Sequence, residues 1–228
     1  MFYTIKFKTR YLVAIIIFII FMLIWRESPS LSTVSLNNVD YLMIDPGHGG
    51  IDGGALSISG DKESDINLAI ALKLADISQL YGVNCVLTRN DDSFRTDAKS
   101  YSEHEDLKQR VNVINSKANA VLISIHQNCF PTSQPSGAQV LFAANESSKL
   151  FGTICHDNIV KYLQPTNRRV AEVAPKKLYI TSNSKCPAIL VECGFMSNQS
   201  DIQNLKNDKY QVKLSALLLA SYIQFRYL

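Results

Sequence analysis

Residues 41–82 read YLMIDPGHGGIDGGALSISGDKESDINLAIALKLADISQLYG, and this stretch decides the fold class. A short apolar run at 41–44 breaks at Asp45 into a glycine-rich loop. A helical pattern then starts near Glu63, with Ile66, Ile70, Leu74 and Ile77 at i, i+4, i+8 and i+11, and Gly82 is placed to stop it. A strand that feeds a helix in this way is half of a βαβ unit. The alternation continues along the chain. Further strand candidates lie at 84–88, 120–126, 139–143, 178–180 and 188–192, mostly short apolar runs of the kind buried on both faces. Helical stripes lie between them, one carrying Leu107, Val111 and Ile114, one at 147–163, and one at 208–227 with Leu214, Leu217, Leu218, Tyr222 and Phe225 inward. The expected fold is therefore α/β: a single domain with a mostly parallel twisted sheet of about six strands, flanked by helices and preceded by an N-terminal membrane segment. No internal repeat breaks this reading.

Composition sets the outer limits. The chain has 228 residues, 46% hydrophobic and 19% charged, with 10 Gly and 7 Pro, which excludes a disordered, collagen-like or multi-spanning protein. Lys6, Lys8, Arg10 and Arg26 supply four positive charges before any acid occurs, so the formal +3 of the whole becomes −1 for residues 27–228. A near-neutral body carries no basic footprint, and no nucleic-acid partner is expected.

Residues 11–25 (YLVAIIIFIIFMLIW) hold no charge and follow a basic segment, the pattern of an export signal or a membrane anchor. The following Arg26-Glu27-Ser28-Pro29-Ser30 offers no A-x-A-like cleavage site, which favours an uncleaved anchor over a secreted product. The basic end then stays cytoplasmic and the body lies outside the cytoplasmic membrane. The domain plan is a signal or anchor segment at 1–26, a Ser- and Asn-rich tether at 27–39, and a catalytic domain at 40–228. Five cysteines, Cys85, Cys129, Cys155, Cys186 and Cys193, are odd in number and lack a C-x-x-C pair, so neither a disulfide framework nor a cysteine zinc site is indicated.

Three strands end in reactive residues: the first in Asp45-Pro46-Gly47-His48, the third in Ser124-Ile125-His126-Gln127-Asn128, and the last in Val191-Glu192-Cys193. In an open α/β sheet, ligands bind outside the carboxyl ends of the strands, so these side chains converge at one edge. With Glu63 at the start of the first helix, the set holds two His and two Glu. Catalytic zinc sites of the His₂Glu type take three protein ligands and leave a position open, while a further carboxylate serves as general base.

At these residues the chain resembles the zinc-dependent N-acetylmuramoyl-L-alanine amidases. The segments that carry the resemblance are IDPGHGGIDGGA at 44–55, KESDINLAIALKLA at 62–75, ISIHQN at 123–128 and ILVECGFMSN at 189–198. The resemblance implies Zn2+ as cofactor, His48, Glu63 and His126 as its ligands, Glu192 as the catalytic residue, and Asn128 and Arg168 as substrate contacts. It also implies the bond, the amide between N-acetylmuramic acid and the L-alanine of the peptidoglycan stem. The minimal architecture is similar to the family's sporulation-specific members, which prepare the spore cortex for muramic-δ-lactam formation and germination. That would place the enzyme between the spore membranes, with an accessory protein at the membrane as a further partner. The alternatives are a general wall amidase, a non-catalytic wall-binding or partner-activating domain, and a zinc peptidase with another amide as substrate.

The remaining candidates have structural readings. Gly47, Gly49, Gly50, Gly53 and Gly54 give the loop its path, and Asn198 with Asp201 reads as the cap of a short helix. His104 and His156 fall on helix faces expected to be exposed, away from metal.

Overall fold

The computed structural model describes residues 40–92 and 102–228. The expected leader (1–26) and tether (27–39) lie outside the described residues, among which no helix is long and apolar enough to cross a membrane. In chain order the elements are β1 (Tyr41–Pro46), α1 (Glu63–Leu80), β2 (Cys85–Leu87), α2 (Glu103–Ile114), β3 (Ala120–Asn128), β4 (Gln139–Phe142), α3 (Glu146–Tyr162), β5 (Glu172–Val173), α4 (Tyr179–Asn183), β6 (Ala188–Phe195), α5 (Gln199–Leu205) and α6 (Asp208–Arg226). The strands form one six-stranded sheet in the order β2-β1-β3-β6-β4-β5. The neighbours from β2 to β6 run parallel, β4 is antiparallel to β6, and β5 pairs parallel with β4.

Alternation along the central strands divides the core in two. Leu42, Ile44, Val121, Ile123, Ile125, Ile189 and Val191 face α1, α3 and α6, which contribute Ile70, Leu74, Phe151, Ile159, Leu214 and Leu218. Met43, Leu122 and Ala188 face the other way, under Val111 and Ile114 of α2 and Ile180 of α4. Strands covered on both sides lack polar alternation, as their sequences do. The starts of α3, α5 and α6 are set by polar caps. Asn145 accepts the Ser148 amide, Asn198 accepts those of Ser200 and Asp201, and Asn207 accepts that of Tyr210. The anticipated stop of α1 is present: Gly82 adopts φ +69°, and Val83 N–H returns to the Ser78 carbonyl.

Two expectations are corrected. Residues 178–180 are not a strand. Leu178 caps α4, where the Thr181 hydroxyl donates to the Leu178 carbonyl and the Ser184 hydroxyl to that of Ile180, so local hydroxyl bonds turn three β-prone residues into a helical turn. The sixth strand is instead the two-residue β5, too short to leave a pattern in the sequence. His156 is also not exposed; it is buried in α3, with Nε2 2.7 Å from the Arg169 carbonyl oxygen.

Candidate active site

The carboxyl ends of β1, β3 and β6 lie side by side, and the register places His126 directly beside Glu192. Paired residues on neighbouring strands point to one face, here the face covered by α2 and α4. Cys193, the next residue, points to the opposite core and is buried there. A cavity of about 250 Å³ opens on this face, lined by His48, Asp52, His126 and Glu192 at its sheet edge and by residues of α2 and α4 opposite.

Glu63 is the hub of the group. Its Oε1 lies 3.0 Å from His126 Nδ1 and 3.3 Å from His48 Nε2, and it accepts the Gln127 amide at 3.0 Å and the Asn67 side-chain amide at 3.3 Å. Its Oε2 accepts the Ala55 amide at 3.0 Å. His48 Nδ1 lies 2.7 Å from Asp52 Oδ2, which leaves Nε2 to face Glu63. Burial alone would raise the pKa of Glu63, yet its hydrogen bonds to His126 and His48 hold it well below the usual carboxylate range. Burial likewise opposes charge on His48, but Asp52 and Glu63 raise it to about 10.

Glu192 is the counterpart. Its Oε2 is buried and has no hydrogen-bond partner among the described residues. Burial, reinforced by the negative charge of Glu63 and opposed by His126 and His48, pushes it up to about 7.

One ligand atom from each of His48, Glu63 and His126 can be chosen so that all lie within 4.8 Å of one another. Tetrahedral ligands at ~2.1 Å from a zinc ion stand ~3.4 Å apart, close to the 3.0 and 3.3 Å that separate Glu63 Oε1 from His126 Nδ1 and His48 Nε2. The donor types match, and an Asp bonded to the far nitrogen of a ligating His is the usual outer-shell arrangement. The residues present therefore fit a zinc ion.

Glycine makes the convergence sterically possible. A Cβ on Gly47 would stand 2.2 Å from the His126 ring, and one on Gly54, at φ +66°, 2.7 Å from Glu63 Oε2. Of the candidate substrate contacts, Asn128 ends β3 beyond a register shift, where its carbonyl accepts the Met196 amide, and it does not line the cavity. Arg168 is exposed and lines a separate depression of about 630 Å³. Its neighbour Arg169 lines the same depression, with its guanidinium over Phe195 and Nη1 donating to Gln139, the residue paired with Glu192 on β4.

Sequence reading did not find Asp52, Asn67, Arg89 or Arg110. Asp52 and Asn67 each stand four residues after a candidate ligand, a spacing that could have signalled them. Arg89 and Arg110 reach the ligand segments across 25 to 65 residues of chain, a link that no local pattern marks.

Residues 42–221 match the family described as N-acetylmuramoyl-L-alanine amidase. The germination-specific N-acetylmuramoyl-L-alanine amidase of Bacillus subtilis is 33% identical over 196 residues, 81% of this chain and 78% of the relative. Among solved structures, the CwlD amidase of Clostridioides difficile in complex with the GerS lipoprotein superposes with a TM-score of 0.78 at 30% identity, covering 82% of this chain and 98% of that one. The amidase AmiC2 of Nostoc punctiforme gives 0.70 at 27% identity over 84% and 99%.

Proposed function

This chain belongs to the N-acetylmuramoyl-L-alanine amidases, enzymes of peptidoglycan hydrolysis, and on that premise we propose a zinc-dependent mechanism, a role for each residue and a place of action. The observation that carries the proposal is the contrast between two carboxylates at one centre. Glu63 is ionised and saturated with N–H donors, whereas Glu192 keeps a buried oxygen without a partner beside His126.

In this reading His48, Glu63 and His126 hold the metal, and Asp52 fixes the ring of His48. A zinc ion bound there supplies Lewis acidity, which polarises the scissile carbonyl and acidifies water. Glu192 accepts the proton of the attacking water and later delivers it to the nitrogen of the leaving L-alanine. A carboxyl held near pH 7 is suited to both transfers. The catalytic domain is taken as residues 40–228, with the apolar segment 11–25 exporting or anchoring it so that it acts outside the cytoplasmic membrane.

The finer role we propose is in the spore cortex, where removal of stem peptides precedes muramic-δ-lactam formation and germination. The likeness to the germination-specific amidase supports it. The CwlD–GerS complex supports a lipoprotein as accessory partner at the membrane. Mass spectrometry of peptidoglycan digested by the holoenzyme tests the bond: free stem peptides with an L-alanine amino terminus are expected, and cleavage of crosslinks alone would refute the assignment. Deleting the gene from its spore-forming host is expected to leave vegetative growth normal and to remove muramic-δ-lactam from the cortex. Unchanged lactam would return the enzyme to general wall turnover.

A further inference from the structure

We propose that the buried arginines Arg89 and Arg110 are positioning residues that set the metal affinity of this centre, a proposal that rests on the reading of His48, Glu63 and His126 as ligands. The two side chains are 4% and 2% exposed, and both meet at the Pro46 carbonyl, Arg89 through Nε at 3.0 Å and Arg110 through Nη1 at 2.7 Å. From there they divide the ligand segments between them. Arg110 Nη2 donates to the carbonyl of His48 itself at 2.7 Å. Arg89 Nη2 donates at 2.9 Å to the carbonyls of both Gly47 and Ser64, the residues before His48 and after Glu63. The third segment joins through Asp45, which takes Arg110 Nη1 at 3.1 Å and the hydroxyl of Ser124, two residues before His126, at 2.7 Å.

One buried assembly thus grips the main chain beside His48 and Glu63 and is tied to the strand of His126 through the Ser124 hydroxyl. The grip has strain to hold, because His48 sits at φ +59°, in the left-handed region that costs a non-glycine residue about 1–3 kcal/mol unless its surroundings enforce it. The arrangement is also costly in charge. Two guanidiniums share one carbonyl in the interior, balanced by Asp45 and, at 2.7 Å from Arg110 Nε, by Asp106. Apolar packing would stabilise a fold at least as well as buried charges. What apolar packing cannot supply is a planar fork that orders several carbonyls at once, which is the particular capacity of arginine.

The test uses the full chain, stripped of metal, with zinc affinity measured by competition against a fluorescent chelator and the stripped protein's melting temperature measured in parallel. Arg110→Lys and Arg89→Lys keep the positive charge near Asp45 but cannot serve all the carbonyls. Each is expected to weaken zinc binding by about 10- to 100-fold, the range found for outer-shell partners, and to change the absorption of the cobalt(II)-substituted protein while the stripped protein still melts cooperatively. A lowered melting temperature with unchanged zinc affinity would assign the arginines to folding alone and overturn the proposal. If neither lysine variant folds, Ser124→Ala decides: weaker zinc binding in a folded protein supports the shared assembly, and wild-type affinity refutes it. Wild-type protein that binds no zinc would instead refute the ligand assignment beneath it.

Discussion

Glu63 and Glu192 neighbour the same two imidazoles, and their surroundings drive their proton affinities apart, one well down and the other up to about 7. That separation predicts how each behaves when altered. Glu192→Gln keeps size and removes the proton acceptor, so turnover on muropeptide should fall by about 10²- to 10⁴-fold while metal analysis still finds close to one zinc per chain; loss of the zinc would make Glu192 a ligand. His48, raised to about 10 by Asp52 and Glu63 against the effect of burial, carries a proton at neutral pH until a metal displaces it. Zinc binding at pH 8 should therefore release about one proton, measurable by calorimetry in buffers of different ionisation enthalpy, and affinity should rise with pH up to about 10. Binding without proton release would contradict this. Gly47 shows where residue-by-residue reading stops. The sequence presents it as one of several loop glycines, yet the space where its Cβ would stand is filled by the His126 ring. Gly47→Ala should displace that ring and abolish zinc retention on gel filtration, a loss that a mere gain in loop stiffness would not produce.

At the scale of elements, the long periodic segments were legible, as were the short β2, β4 and α5 marked by an apolar run or a cap, and α4 and β5 were not. The apolar stripes of α1, α3 and α6 and the unbroken apolar runs of β1, β3 and β6 dictate their own conformations, because each buries a face against the others. By contrast, α4 and β5 span five and two residues, below the length at which periodicity has meaning, and contacts supplied by the rest of the fold decide them. Such contacts carry measurable energy. The Ser148 hydroxyl, in the first turn of α3, accepts the Ala188 amide at the start of β6 at 2.9 Å in the buried interior. Ser148→Ala leaves that amide without its acceptor, and a loss of about 1–3 kcal/mol is expected. Urea denaturation should show it as a lower midpoint with an unchanged slope; a midpoint within error of wild type would mean that another acceptor takes over.

For the whole molecule, the sequence motifs located the candidate site, since all three strand ends and the start of α1 reach one sheet edge. The supporting assembly of Arg89, Arg110 and Asp45 stayed hidden, because its bonds to the ligand segments exist only after the chain has brought residues 25 to 79 positions apart together. A metal that binds only the assembled centre must stabilise the fold as a whole. Zinc at a hundredfold over its dissociation constant adds about 2.7 kcal/mol, which for a domain of this size corresponds to about 5–10 °C in melting temperature. Differential scanning calorimetry with and without a chelator should show that shift, and coincident transitions would count against a metal tied to the folded state. The ends of the sheet have a further consequence. Its two outermost strands, β2 and β5, are three and two residues long. Exposed strand borders are where polypeptides recruit one another into aggregates, and this sheet gives a second copy almost nothing to add to, so concentrated solutions should resist fibril growth even though the interior is rich in β-branched residues.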